Sequence, residues 1–258
     1  MAADCYSFDM ETHVAARVLV ADDDSISLQY LAAALREFGC EVALASNGNA
    51  ALAACATTQF DLLLLDRCMP DCGGAALLRE LRGRGCASIA VATSAELDAT
   101  LRAELDEAGY ADAVTKPLSV DDVAALLVAH VSKLRVPAAH KATPAMEYSS
   151  GQALSTWLDD ASALTVLGGD MATLRALRGL FASELETGLS GVAAMSPSAL
   201  GEWLHRLRAS CRYCGALRLH DTAQRLETAS KNGLEPDEGG LQPFRDAISQ
   251  TLAALKAN

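Results

Sequence analysis

The chain has 258 residues, of which 51% are hydrophobic, and a formal charge of −12. This length allows two ordinary domains, each with its own hydrophobic core. Residues 1–135 carry −10 of the charge, and such an acidic half argues against nucleic acid as a partner. Residues 1–13 do not resemble a secretory signal, and no apolar run reaches the roughly 18 residues of a membrane span. We therefore expect a cytoplasmic protein with no membrane partner.

The eight cysteines do not form a disulfide or zinc framework. Six of them are scattered along the first half, and Cys211 and Cys214 are the one pair with metal-ligand spacing. No second pair follows this one in the sequence. We expect reduced thiols, as in a reducing cytosol.

The first half alternates short apolar runs with helical periods, and this pattern predicts an α/β domain with a doubly wound, five-stranded parallel sheet. The third run, Asp61–Asp66, is continuously apolar between its acids, which is typical of a strand buried on both faces. The predicted strands are 17–21, 41–45, 61–66, 88–92 and 111–115. The predicted helices run from 26 to 38, from the turn at 46–48 to about 57, from the glycines 73–74 to about 81, from after the fourth strand to about 108, and from 120 to 133.

Four of the predicted strands end on residues suited to phosphate chemistry. Asp22 and Asp23 follow the first strand, Asp66 the third, Thr93 the fourth and Lys116 the fifth. Ligands of open α/β sheets bind beyond the carboxyl ends of the strands, so these residues are expected to surround one crevice. Clustered carboxylates favour Mg²⁺ or Mn²⁺. Such an ion supports phosphoryl transfer to a carboxylate, while a lysine and a hydroxyl contact phosphate oxygens.

An acid after a strand is often only a helix N-cap, and we interpret Asp24, or Ser25 beside it, as such a cap. The full set of strand-end residues is harder to explain by capping. The motifs Leu19–Asp24, Asp66–Pro70 with Gly74, Ala92–Ser94 and Lys116-Pro117 resemble those of the receiver domain of response regulators, over residues 16–134.

The resemblance implies a flavodoxin-like sheet with strand order 2-1-3-4-5 and phosphorylation of Asp66. It also implies that Mg²⁺ is held by Asp23, Asp66 and the Cys68 carbonyl, with Asp22 assisting through water. Thr93 and Lys116 would contact the phosphoryl oxygens.

Two positions depart from the receiver pattern. Ala113 stands three residues before the lysine, where the family often has an aromatic residue. Switching through an aromatic rotamer is therefore not expected here. Gly73 replaces the acid that usually precedes the loop glycine, a change expected to affect only that loop.

Residues 135–151 contain two prolines, several alanines and no sustained apolar period, which predicts a linker. The chain thus divides into an N-terminal extension (1–15), a receiver domain (16–134), the linker (135–151) and a helical domain (152–258). In the last part, antiparallel helices with short connections predict an all-α four-helix bundle preceded by a short helix. The predicted helices are 159–167, 170–187, 197–214, 216–231 and 242–257.

A helical wheel predicts the direction of His205 in helix 197–214. Its apolar stripe, which includes Cys211 and Cys214, lies about 160° to 260° from His205, so the histidine is expected on the exposed face. Arg208 and Arg212 lie within about 60° of it, where they could stabilise phosphoryl oxygens. A neutral imidazole is a competent nucleophile, and an acidic crevice should attract this face.

The segment His205–Ser210, followed by Gly215-Ala216, is similar to the signature of histidine phosphotransfer domains, over residues 152–257. The resemblance implies that His205 carries a phosphoryl group. Arg208 stands where the family usually has lysine, and Ala209 where it has glycine. Arg208 keeps the positive charge of the family residue, and Ala209 keeps its small size.

Together the two resemblances predict a two-component phosphorelay intermediate. A sensor histidine kinase would phosphorylate Asp66, and phosphoryl groups would pass through His205 to or from the aspartate of a downstream receiver, with contact between the receiver and the bundle expected. The alternative is a docking protein or phosphate sink in which His205 is not an obligatory relay. A magnesium-dependent phosphatase resembling haloacid dehalogenases is disfavoured, because Cys68 stands where those enzymes have a second acid.

Overall fold

The computed structural model describes residues 15–131, 157–192, 195–231 and 238–257. The proposed linker and nearly all of the N-terminal extension lie outside these residues. The first domain alternates strands and helices, and the second contains helices only.

The strands are β1 (Arg17–Ala21), β2 (Glu41–Ala45), β3 (Leu62–Asp66), β4 (Ile89–Ser94) and β5 (Asp112–Thr115). The receiver helices are α1 (Ser25–Glu37), α2 (Gly48–Thr57), α3 (Gly74–Gly83), α4 (Ala99–Glu107) and α5 (Val120–His130). The remaining helices are α6 (Asp160–Val166), α7 (Met171–Gly191), α8 (Pro197–Cys214), α9 (Leu217–Lys231) and α10 (Glu238–Ala257).

The five strands form one parallel sheet in the order β2-β1-β3-β4-β5, as predicted. The central strand β3 is buried along its whole length, which explains its unbroken run of leucines. Every connection between parallel strands must cross a face of the sheet, and the helices between the strands make these crossings. All five strands therefore end at the same edge.

The predicted helix starts are confirmed by their capping contacts. Asp24 caps α1 by accepting from two backbone N–H groups, Ser119 forms a capping box with Asp122, and Ser196 caps α8 ahead of Pro197. These side chains satisfy N–H groups that the first turn of a helix leaves without partners. The sequence signals for these helices therefore agree with their physical ends.

The predicted end of α7 was wrong. A break was expected at Gly188, but the helix continues to Gly191. A β-carbon at Gly188 would lie 2.1 Å from Cζ2 of Trp203 on α8, far inside normal contact. Gly188 therefore serves helix packing instead of ending the helix, and this function depends on the neighbouring helix.

The two faces of the sheet bury different clusters of apolar residues. One cluster, which includes Leu63, Leu65 and Leu77, lies on the side of α2, α3 and α4. The other begins between the sheet, α1 and α5 and continues without a break into the bundle, where Phe181 and Leu204 are fully buried. The bundle is therefore packed against the α1 side of the receiver, through contacts of α1 with α7 and α8. This packing brings α8 to the carboxyl edge of the sheet.

Candidate functional site

An acid cluster, consisting of Asp22, Asp23 and Asp66, lies at the carboxyl edge of the sheet. One carboxylate oxygen from each residue lies within 4.8 Å of the other two. Asp22 and Asp66 are buried, with 1% and 3% of their surface exposed. They meet because β1 and β3 are parallel neighbours. The donors are all carboxylate oxygens at mutually close range, which is the chemistry that suits Mg²⁺ or Mn²⁺.

Lys116 is the receiver's own cation at this cluster. Its Nζ lies 2.6 Å from Asp22 Oδ2 and 2.8 Å from Asp66 Oδ2. Burial alone would lower the pKa of this lysine, but the charges of Asp22 and Asp66 outweigh burial and hold the pKa well above its ordinary value. The ammonium group therefore stays charged and offsets part of the repulsion between the carboxylates.

Thr93 lies beside Asp66, as expected. The two residues are paired across β3 and β4, and Thr93 is buried. In the following loop, the Cys68 N–H donates to Asp66 Oδ1 at 3.4 Å. A β-carbon at Gly74 would lie 2.7 Å from the Asp66 carbonyl oxygen, so only glycine fits at this approach. The substituted loop position, Gly73, is less crowded, with its nearest such contact at 3.5 Å.

The apolar stripe of α8 is buried as the helical wheel predicted, but the prediction that His205 is exposed was wrong. Only 24% of its side-chain surface is exposed. The wheel assumed that the opposite face of the helix meets solvent. Helix α9 and the receiver domain cover that face, because α8 lies between them.

His205 lies between a buried acid of α9 and the loop that follows Asp66. Its Nδ1 is 3.6 Å from Glu227 Oε1. Interaction with the Cys68 side chain, and then with Glu227, raises the pKa of the imidazole to about 9 against the opposing effect of burial. Cys68 is only two residues after Asp66, so the proposed phosphoacceptor and phosphohistidine belong to adjacent parts of one interface.

The arginines named from the sequence have other contacts in the structure. Arg208 is buried, and its Nη1 donates to Glu227 Oε2 at 2.6 Å, while Nη2 lies 3.5 Å from Glu96 Oε1. Arg212 Nη1 donates to the Lys116 carbonyl oxygen at 2.8 Å. Each arginine therefore joins the bundle to the receiver near the crevice.

Sequence reasoning missed Arg206, the arginine that reaches the acid cluster itself. Its Nη1 donates to Asp23 Oδ2 at 3.1 Å. A wheel centred on His205 places Arg206 about 100° away, outside the arc that was considered. The acidity of the receiver was the available signal, because any bundle cation near His205 could find a carboxylate there.

Further polar contacts cross the interface between the domains, and one of them joins the Tyr30 hydroxyl of α1 to the Val166 carbonyl oxygen of α6 at 3.0 Å. Ser210 Oγ donates to Asp24 Oδ1 at 2.9 Å, and the Leu118 N–H donates to Tyr213 Oη at 3.2 Å. Both tyrosyl and seryl groups are buried. Because buried polar groups are costly without partners, these bonds help to define how the domains pack.

The remaining candidates have ordinary structural surroundings. Cys211 and Cys214 are buried thiols in the bundle core. Among the residues that the structure describes, the acid cluster is the only group of three or more His, Cys, Asp or Glu side chains arranged to hold a metal ion. His220 pairs with Asp221, and burial lowers its pKa. Within the same part of the chain, no helix has the length and apolar character needed to cross a lipid bilayer.

Comparison with known proteins agrees with this arrangement. Residues 18–128 match the response regulator receiver domain family, and residues 170–258 match the Hpt domain family. The sensor protein GacS of Pseudomonas syringae pv. syringae is 29% identical over 252 residues, covering 94% of this chain and 28% of that protein. The virulence sensor protein BvgS of Bordetella parapertussis is 30% identical over 264 residues, covering 95% of this chain and 20% of that protein.

The chain thus spans between a fifth and three tenths of the length of these two relatives. Among solved structures, the receiver domain of the Francisella response regulator 1452 is 31% identical, with a TM-score of 0.40, over 42% of this chain and 89% of that one. The family matches follow the same order as the two structural units described above. Residues 18–128 of this chain are therefore a response regulator receiver domain, and residues 170–258 are an Hpt domain.

Proposed function

We propose that this chain is a phosphorelay intermediate that accepts a phosphoryl group on Asp66 and exchanges phosphoryl groups through His205. The observation that carries the proposal is that α8 holds His205 beside the acid cluster, where the adjacent Arg206 donates to Asp23 and the electrostatics of His205 are coupled to Cys68 in the loop that follows Asp66. The local structure around His205 and around Cys68 does not by itself bring these two residues together. Their proximity depends on how the bundle packs on the receiver.

The proposed chemistry consists of two transfers. First, an Asp66 carboxylate oxygen attacks the phosphorus of a phosphohistidine on a sensor histidine kinase. The P–N bond breaks, a P–O bond forms, and the released imidazole keeps its other N–H. Next, a neutral nitrogen of His205 attacks the same phosphorus, the P–O bond to Asp66 breaks, and the free carboxylate returns. The second transfer is reversible, and it also describes exchange with the aspartate of a downstream receiver.

Glu227 orients the imidazole in this scheme. It lies on the Nδ1 side, which leaves Nε2 for the attack on phosphorus. Because the pKa of His205 is raised to about 9, the imidazole is mostly protonated at neutral pH and must lose one proton before it attacks. Glu227 then retains the Nδ1–H through the transfer.

The acid cluster suits Mg²⁺ as the cofactor. Asp23, Asp66 and the Cys68 carbonyl would hold the ion, with Asp22 assisting through water. When bound, Mg²⁺ offsets negative charge on the transferring phosphoryl group. We assign contacts with the phosphoryl oxygens to Thr93 and Lys116 on the receiver side.

Arg208 and Arg212 are the proposed phosphoryl-stabilising groups on the bundle side. Their present partners, Glu227 and the Lys116 carbonyl, keep both guanidinium groups close to the crevice. We place the receiver at 16–134 and the helical domain at 152–258. Packing of α6 against α7 and α8 supports inclusion of residues before 170 in the bundle. The proposed setting is cytoplasmic.

Labelled phosphate traces the relay directly. The full-length protein is incubated with a phosphorylated histidine kinase and a downstream receiver. We expect alkali-labile phosphate on Asp66 and acid-labile phosphate on His205. The Asp66→Asn protein should not accept label from the kinase, and the His205→Ala protein should keep label on Asp66 without passing it on. His220→Ala is the matched control, because it removes another partly buried bundle histidine, and it should behave as wild type.

The same experiment tests the alternative of a phosphorylation-dependent docking protein. The extensive packing between the domains favours that alternative as the second candidate. If the His205→Ala protein still supports full labelling of the downstream receiver, the relay hypothesis is wrong and the docking hypothesis is favoured. Mixing the Asp66→Asn and His205→Ala proteins then examines transfer within one molecule: restoration to the wild-type level at every dilution would exclude an obligatory intramolecular route.

A further inference from the structure

The acid cluster is neutralised by cations from two different domains. Lys116 belongs to the receiver and contacts Asp22 and Asp66, whereas Arg206 belongs to the bundle and contacts Asp23. The Arg206 and Asp23 side chains are 28% and 10% exposed, so the pair is partly shielded from water. Partial burial strengthens such a pair relative to one on the open surface.

Docking of the bundle changes which charged groups contact the acid cluster. With all three acids ionised, the carboxylates together with Lys116 carry a charge of −2. The bundle adds the Arg206 guanidinium, which donates to Asp23, and the partly buried Glu184 carboxylate, which interacts with both Arg206 and Asp23. A divalent cation that takes Asp23 as a ligand must share that carboxylate with a positive group at 3.1 Å. Docking therefore places a fixed cation on a carboxylate that the divalent cation would also use, which weakens metal binding at Asp23.

We infer that Arg206 anchors the docked bundle to Asp23 and competes there with a divalent cation. The inference rests on one part of the proposed function, namely the assignment of the acid cluster as the metal site. Linkage makes the effect reciprocal: docking weakens metal binding, and metal binding weakens docking by the same factor.

The other interface contacts limit how far the metal acts. Ser210 bonds Asp24 and Tyr213 bonds the Leu118 N–H, and neither of these receiver groups belongs to the acid cluster. These contacts do not use Asp23, so they still favour docking when Asp23 changes its partner. A divalent cation therefore shifts the bundle toward release without abolishing the interface. Release would expose His205 to the receiver of another protein.

The competition between Arg206 and the metal can be tested by titrating the full-length protein with Mn²⁺. Electron paramagnetic resonance measures the free ion and thereby the affinity. We expect the Arg206→Gln protein to bind Mn²⁺ on the order of tenfold more tightly than wild type, because one positive charge next to the site is lost. The Arg206→Lys protein keeps the charge and should remain near wild type. Arg225→Gln removes an exposed bundle arginine of α9 and should leave the affinity unchanged.

Small-angle X-ray scattering supplies a readout that does not depend on affinity. Saturating Mn²⁺ should increase the radius of gyration of the wild-type protein and have a smaller effect on Arg206→Gln. Equal Mn²⁺ affinity in wild type and Arg206→Gln would overturn the competition and leave the acid cluster as a metal site. Failure of Mn²⁺ to bind to either protein would overturn the competition and the proposed Mg²⁺ role together.

Discussion

The acid cluster of the receiver and the His205 face of α8 differ in how they are built. The cluster is assembled from strand ends within one sheet, and its cation Lys116 comes from the same domain. The His205 face obtains its surroundings from α9 and from the receiver. The residues of a site formed by strand ends can be predicted from the sequence. The surroundings of a residue on a helix surface depend on which other element packs over that surface.

The largest expected effect comes from removing the cation of the acid cluster. Lys116→Met leaves buried Asp22 and Asp66 without their shared partner, so the receiver should lose about 4 kcal/mol of stability. Urea unfolding followed by far-UV circular dichroism measures the loss. Adding Asp22→Asn to Lys116→Met should recover part of it, because one repelling charge is removed. A loss below about 1 kcal/mol would mean that the cluster does not depend on this lysine.

A smaller effect is expected at the turn between α8 and α9. Gly215 has φ of +73°, and a β-carbon there would lie 2.2 Å from the Asp159 carbonyl oxygen. Gly215→Ala should therefore cost about 3 kcal/mol, from backbone strain and a clash with a neighbouring segment. Tryptophan fluorescence during urea unfolding reports on the bundle, because Trp157 and Trp203 both lie in it.

Gly109 in the receiver is the matched control for this substitution. It also has positive φ, +93°, but a β-carbon there meets nothing within 4 Å. Gly109→Ala should cost only about 1–2 kcal/mol, the penalty for the left-handed backbone alone. Urea unfolding of this variant is followed by far-UV circular dichroism, because neither tryptophan lies in the receiver. Equal losses at the two glycines would show that the approach of Asp159 to the turn is unimportant.

The smallest of the three effects concerns the interface between the domains. Tyr213→Phe removes the acceptor of the buried Leu118 N–H and should cost about 1.5 kcal/mol. The Tyr110 hydroxyl is also buried but has no hydrogen-bond partner among the described residues. Tyr110→Phe should thus be nearly neutral under the same urea titration. A cost for Tyr110→Phe as large as that for Tyr213→Phe would contradict the role of the interface bond.

Much of the receiver was predictable because local signals and global topology agree. The apolar run of β3, the capping residue Ser119 and the positions of Asp66 and Thr93 all follow from patterns along the chain. The convergence of the strand ends then follows from the parallel sheet. The bundle helices were predicted for the same reason, apart from two ends. Helix α10 begins at Glu238 and not at 242, and α7 continues past Gly188, which makes room for a side chain of another helix.

The amino-acid sequence by itself determined the two domain types, the strand-end acids with Lys116, and the inward direction of the apolar stripe on α8. Periodicity and strand termini are local properties, so they can be identified without knowing which elements pack against each other. Only the tertiary structure decided that His205 is partly buried beside Cys68, that Glu227 pairs with Arg208, and that Arg206 reaches Asp23. These contacts join residues that are far apart in the chain, and they exist only because two hydrophobic surfaces pack and exclude water between them.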